Sequence, residues 1–253
     1  YVRNFLWGRV HPAYCGRGLG AYLNQWGEAY VRGQMTAAPA DARVTVGCTV
    51  IQTNQGAAAL FQGLGYQHVR SFYTMAIAMD TPPPAPAWPE GITVRTMQPG
   101  EEAAVYRAID ESFQDHWGHV DTPFEESFPR WQHYMLNDPD ADPSLWFLAL
   151  AGDEIAGCSL CKPKITAHPD MGWVNQLGVR REWRRQGLAL ALLHHTFGEF
   201  YRRGTKKVGL GVDASSLTGA TRLYEKAGMA VLRQFDTYEK ELRPGRDLTT
   251  QAA

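Results

Sequence analysis

The chain has 253 residues with 25 basic and 26 acidic side chains, a net charge of −1 and 44% hydrophobic content, which allows one large globular domain or two small ones. So even a balance excludes a general pull toward nucleic acid or an anionic membrane, and any anion site must be local. With no long apolar run and no leader pattern, the expected setting is cytoplasmic, with no membrane or nucleic-acid partner.

In chain order, the first feature is "VHPAYCGRGLGAYL" (Val10 to Leu23), a glycine-bearing loop that opens an apolar-periodic stretch. Next comes "AAALFQGLGYQHVRSFYT", a helix pattern stopped by Gly65 and followed by an alternating strand that "SFYTMAIAM" closes. The segment Asp80 to Gly91, "DTPPPAPAWPEG", has five prolines and is expected as an extended linker. "ITVRTM" then alternates like an opening strand over 92–97. The spacing predicts helices over 100–114 and 124–136, the second broken near Pro129. Strands are expected at 145–151, 154–164 and 172–180, then a long helix over 187–203. A strand at 206–213, a helix at 218–227 and a last pair of strand segments within 229–242 complete the chain. This is a mixed α/β pattern, with helices covering a sheet.

The chain repeats itself. Val10 aligns with Val179, Gly18 with Gly187 and Gly20 with Ala189, each 169 positions apart. Leu60 then aligns with Leu223, Phe61 with Tyr224, Gly65 with Gly228, Arg70 with Arg233 and Phe72 with Phe235, each 163 apart. Two motifs in the same order at near-constant spacing mark a tandem protein. The expected partition is 1–80 for the first copy, 81–91 for the linker, 92–244 for the second copy and 245–253 for a tail. The first copy has only nine residues before Val10, whereas the second runs from Ile92 to Val179 before the same point. The first copy is therefore expected to be the back half of a domain whose front half is missing from this sequence.

A glycine loop at a helix mouth offers unpaired backbone N–H groups and a favourable dipole to an anion. Arg180, Arg181, Arg184 and Arg185 mass just before Gly187, and the expectation is that something anionic is held there. The triphosphate loop GxxxxGK[ST] is not met by either copy. The dinucleotide pattern is formally met in the first copy by Gly16, Gly18 and Ala21, with Asp41 downstream, but the second copy has Arg185 where Gly16 stands. The pattern common to both copies is V-x4-[RC]-x-x-G-x-[GA] followed by a helix.

These residues resemble the GNAT acyltransferase superfamily. Its [QR]-x-x-G-x-[GA] loop matches Arg184, Arg185, Gln186, Gly187, Leu188 and Ala189, and "LYEKAG" (Leu223 to Gly228) matches its second hallmark. The first copy has Cys15, Gly16, Arg17, Gly18, Leu19 and Gly20, with Cys15 off the pattern. The resemblance implies two GNAT-type domains in tandem and an acyl-CoA ligand, acetyl-CoA above all, used as acyl donor. The diphosphate would sit on the amides from Arg185 to Ala189, and the pantetheine arm would run along Leu177, Gly178 and Val179. It further implies Tyr224 as general acid toward the leaving sulfur and the Val179 N–H as oxyanion donor.

Departures accompany the match. The position of the family's frequent glutamate base is Trp173, and the usual Asn seven before the tyrosine is Leu217, with Asp213, Ser215 and Ser216 nearby. Asn175 and Gln176 are polar but poor bases. His116, Trp117, His119 and Asp121 fall in the segment that borders the acceptor groove in such a fold. In the first copy Asn54 keeps the family position, but Phe61 replaces the acid. That copy is expected not to catalyse, leaving Val10, Arg17, Gly18, Leu19, Gly20 and Asn54 as a second CoA site at most. The expected activity is transfer of an acyl group to an amine of a small molecule or peptide by a monomer or homodimer. The alternative is a catalytically weak acyl-CoA-binding or sensing protein. Cys158 and Cys161 form a CxxC that nothing completes, so no metal is expected, and with Cys15 and Cys48 they read as reduced thiols.

Overall fold

The structure, a computed structural model, describes residues 2–216 and 219–250. The chain forms two compact units that interleave along the sequence. Of the described residues, the first holds 2–73, 213–215 and 233–249; the second holds 74–212, 216, 219–232 and 250.

In the first unit, β1 (Arg3–Phe5) runs parallel to β2 (Val44–Ile51), and α1 (Leu19–Gln34) and α2 (Gln55–Gly63) flank the strands. The partner of β2 on its other side is β9 (Ala230–Arg243), antiparallel, pairing from Val44↔Arg243 through a register shift to Thr45↔Glu241 and then in register to Ile51↔Phe235. The strand that ends the second sequence copy therefore completes the sheet built by the first. Ion pairs fix it there. Glu239 accepts from Arg3 at 2.6 Å, and Lys240 bonds both oxygens of Glu28 on α1 at 3.0 and 2.9 Å. The apolar core is Val31, Val44, Val46, Val50, Tyr66, Tyr238 and Leu242, with Cys48 among them. β3 (Gln67–Ala78) gives its first half to this unit, where Arg70 forks onto Asp213 at 2.8 to 3.0 Å.

In the second unit the strands run in the order β3, β8 (Lys207–Asp213), β7 (Gly172–Val179), β6 (Glu154–Lys162), β5 (Trp146–Ala151), β4 (Ile92–Thr96). α3 (Glu102–Phe113) and α4 (Phe124–Leu136) enclose Val105, Tyr106, Ile109, Trp131 and Met135 against Trp146, Leu148, Cys158 and Leu160. α5 (Leu188–Arg202) buries Leu188, Ala191, Leu192, Leu193, Phe197 and Phe200, and contacts β5, β6 and β7. The short α6 (Ala220–Lys226) packs beside α5. The linker is tied down by Trp88, whose ring lies 5.7 Å from that of His195.

Two sequence expectations are corrected. α4 is not broken at Pro129. The proline costs the helix a donor, about 3 kcal/mol in an exposed setting, but Phe124, Phe128 and Trp131 stack along one face and each reaches Tyr106 at 5.5 to 5.7 Å. That packing holds the helix through the proline. The closing segments also merge into one strand, because β9 pairs with β2 without interruption from Thr45 to Ile51.

Candidate functional site

Both copies build the same loop. In the second, a 3-10 turn over Arg181–Trp183 leads into Arg184 at φ −68°, ψ 156°, then Arg185 at φ 62° and Gly187 at φ 87°, ψ −5°, which caps α5. In the first, the turn over Pro12–Tyr14 leads into Cys15 at φ −62°, ψ 153°, then Gly16 at φ 75° and Gly18 at φ 79°, ψ −7°, which caps α1. The alternation of extended and left-handed backbone turns successive amides toward one concavity. Among the described residues, the amides from Arg185 to Leu190 meet no protein acceptor. The first helical bond closes only at Ala191, to the Gly187 carbonyl at 3.1 Å. This is an anion cradle at a helix N-terminus.

The arginine side chains divide. Arg180 donates to Glu111 at 2.6 Å and also holds Glu154. Arg181 and Arg184 share the Asp115 carboxylate at 2.6 and 2.8 Å. Arg185 alone of the four has no ion pair among the described residues. The four arginines therefore differ in what they already hold. Three already neutralise carboxylates of the α3 region, which leaves Arg185 and the amides to face an anion. The Arg181 and Arg184 guanidiniums lower the Asp115 carboxyl to about 2. Sequence reasoning missed Glu111 and Asp115, although two acids four apart at the end of an amphipathic helix point one face at a cationic neighbour.

β7 supplies the floor. It pairs with β6 along its length but with β8 only from Gly172 to Val174, so the two parallel strands splay beyond that point. The Arg180 amide bonds the Ala156 carbonyl at 3.0 Å, which fixes the ladder's alternation. The N–H groups of Leu177 and Val179 therefore point away from β6, toward the splayed edge. The Val179 carbonyl accepts from Arg184 Nε at 3.0 Å. Gly178 faces α3, where an added Cβ would lie 2.9 Å from Ser112 Cβ.

A bulge leaves Asn175 without a partner on β6, since Leu160 pairs with Gln176 and Cys161 with Val174. Asn175 reaches Met135 Sδ, and Gln176 accepts from the Trp131 indole N–H at 2.9 Å. Trp173 lies farther back, stacked on His168 at 6.3 Å. The loop from Phe113 to His119 is built of tight turns. The His116 ring lies 4.3 Å from Phe113, and the amides of His116 and His119 bond back three residues. Thr250 joins this loop by accepting from the Gly118 amide and donating to the His119 carbonyl, at 2.8 and 2.7 Å.

Tyr224 on α6 is 8% exposed, and burial pushes its hydroxyl up to about 12. That hydroxyl has no protein partner among the described residues, yet no buried polar side-chain atom there is left unsatisfied. The phenolic oxygen must therefore reach an opening. It keeps its proton throughout the neutral range. In the first copy Phe61 packs on Tyr66 and Tyr238 at 5.7 and 6.1 Å, and Asn54 caps α2 by accepting from the Ala57 amide. Leu217 lies outside the described residues. Cys48, Cys158 and Cys161 are buried free thiols, raised to about 11, 12 and 12 by burial. Among the described residues no helix is long and apolar enough to cross a membrane.

Comparison with known proteins converges on one family. The model of the acetyltransferase (GNAT) family matches residues 103–229. The mycothiol acetyltransferase of Thermobispora bispora is 33% identical over 87% of this chain and 70% of its own length, and that of Salinispora arenicola is 32% identical over 87% and 68%. A GCN5-related N-acetyltransferase from Sphaerobacter thermophilus superposes with TM-score 0.81 at 44% identity, covering 99% of this chain and 76% of that one. A tandem GNAT protein from the clavulanic acid biosynthesis pathway shares the fold at TM-score 0.67 and 18% identity, over 94% and 74%. The chain belongs to the GNAT acetyltransferase family, whose members use acetyl-CoA to acetylate an amine.

Proposed function

We propose that the second copy carries out acetyl transfer to an amine by direct attack. The acetyl-CoA diphosphate lies on the amides from Arg185 to Leu190, with Arg185 as its guanidinium partner. The pantetheine arm follows the edge of β7 along Leu177 to Val179. The Val179 N–H, turned toward the splay, donates to the thioester oxygen as negative charge develops there. The neutral amine attacks the carbonyl carbon, the C–S bond breaks, and Tyr224 gives its proton to the departing sulfur. The proton shed by the amine nitrogen restores the phenol.

The observation that carries this reading is the Tyr224 side chain, buried except where its hydroxyl reaches an opening and without a protein partner among the described residues, in the same unit as a strand splayed at its Val179 end. The acceptor side is the His116, Trp117, His119 segment with Asn175 on the bulge, and the mycothiol acetyltransferase reaction is the first to assay because the curated relatives carry that name.

A weak or silent acyl-CoA binder is the second reading, favoured by a β7 strand with no carboxylate and Trp173 where a base would stand. The test is calorimetry with coenzyme A followed by thiol release from acetyl-CoA over a panel of amines. Heat with coenzyme A and turnover on one amine support catalysis. Heat with no turnover on any amine selects the second reading, and no heat defeats both. The first copy keeps the loop geometry but has Phe61, which supports a second, non-catalytic coenzyme A site around Val10, Arg17, Gly18, Leu19 and Gly20. The stoichiometry from the same titration distinguishes one site from two.

A further inference from the structure

The turn after α3 and the loop that opens α5 share one carboxylate. Asp115 takes Arg181 at 2.6 Å and Arg184 at 2.8 Å, and Arg184 in turn holds the Ser112 carbonyl at 3.1 Å and the Val179 carbonyl at 3.0 Å. One guanidinium thus joins the end of α3, the turn beyond it and the end of β7. Residues 114–119 are also held by the short-range bonds of the turns, the Phe113 and His116 ring contact and the strap at Thr250.

We propose that Asp115 is a positioning residue that couples the two sides of the site, so that seating a diphosphate on the α5 loop orders the 113–119 turn. The inference rests on the coenzyme A reading above. A bound diphosphate fixes the loop backbone at Arg185 and beyond, Arg184 is the residue just before it, and the carboxylate passes that restraint to the segment bearing His116, Trp117 and His119. Coupling of this kind needs a shared element that both sides bias, and the Asp115 knot is such an element.

The test uses the full chain and coenzyme A itself, with amide hydrogen exchange read over 113–119. In the wild type, saturating coenzyme A should slow exchange there by about fivefold or more. In Asp115→Asn the coenzyme A dissociation constant should stay within about threefold while that slowing disappears, and Asp115→Glu should recover part of it. Arg181→Gln, at a side chain more than half exposed, removes one of the two partners and should give an intermediate slowing even if Asp115→Asn folds poorly. Equal slowing in Asp115→Asn, or none in a wild type that binds coenzyme A, overturns the coupling. A loss of coenzyme A affinity in step with the loss of slowing also overturns it, by making Asp115 part of the cradle. No heat with the wild type is a different failure, that of the coenzyme A reading on which this one stands.

Discussion

Arg185 has the one positive φ of any non-glycine residue described, 62°, at the place where the first copy has Gly16 at 75°. A side chain in that region costs about 1–2 kcal/mol, so the loop bears strain that glycine would relieve. Among the described residues, it also bears the one guanidinium of its cluster without an ion pair. Arg185→Gly should therefore leave the unliganded melting temperature unchanged or raised, while coenzyme A binding weakens by about threefold to tenfold and becomes less sensitive to salt. Thermal unfolding beside calorimetry at two salt concentrations checks it, and a variant that melts lower yet binds as well would remove Arg185 from the anion site. At Tyr224 the expectation is chemical. Phenylalanine fits the same buried position but has no proton to give, so Tyr224→Phe should lower kcat about tenfold or more at unchanged coenzyme A affinity. An unaltered steady-state rate would take the acid role away. Residues such as these were legible beforehand because they lie in local motifs. Asp115 was not, since its partners stand 66 and 69 positions away and only folding brings them together.

Among elements, the repeat in the sequence becomes a repeat in register. Arg3, Asn4 and Phe5 pair with Thr45, Val46 and Gly47, while Gly172, Trp173 and Val174 pair with Val208, Gly209 and Leu210. These pairs differ by the same 169 and 163 positions as the motifs, so the offsets already held the strand alignment. The helix surfaces differ. Leu188, Ala191 and Leu192 on α5 are buried, whereas their counterparts Leu19, Tyr22 and Leu23 on α1 are exposed, with Trp26 and Tyr30 continuing the stripe. Helix periodicity identifies such a face but not what covers it. The packing of α3 on β7 makes a sharper test. An added methyl at Gly178 would press on Ser112 and Ile109 at 2.9 to 3.2 Å. Gly178→Ala should cost about 1–3 kcal/mol of stability. It should also impair acetyl-CoA use, because the shifted wall includes the Ser112 carbonyl that anchors Arg184. Denaturant titration with KM for acetyl-CoA measures both, and a neutral outcome in stability would show that α3 can retreat freely.

For the molecule as a whole, the copies of the sequence and the compact units of the structure are cut differently. Alternation correctly marks residues 230–243 as a strand, but a period of two does not reveal which edge that strand will join. The edge is decided by chemistry distributed along the chain. Arg3 and Glu28 receive Glu239 and Lys240, Arg32 reaches the Leu242 carbonyl, and Tyr238 and Leu242 enter the core around Val44 and Val46. Without β9 the first unit would lose the antiparallel neighbour of β2 along its whole length and the Lys240 ammonium that pairs Glu28, leaving a bare sheet edge. Truncation after Leu232 removes only residues that the sequence reading assigns to the second copy and the tail. Hydrogen exchange over residues 44–51, compared between the full and truncated chains, should nevertheless show protection of the β2 amides lost. If β2 stayed protected in the truncated chain, β9 would be a passenger on that edge and the first unit would be stable from residues 1–73 alone.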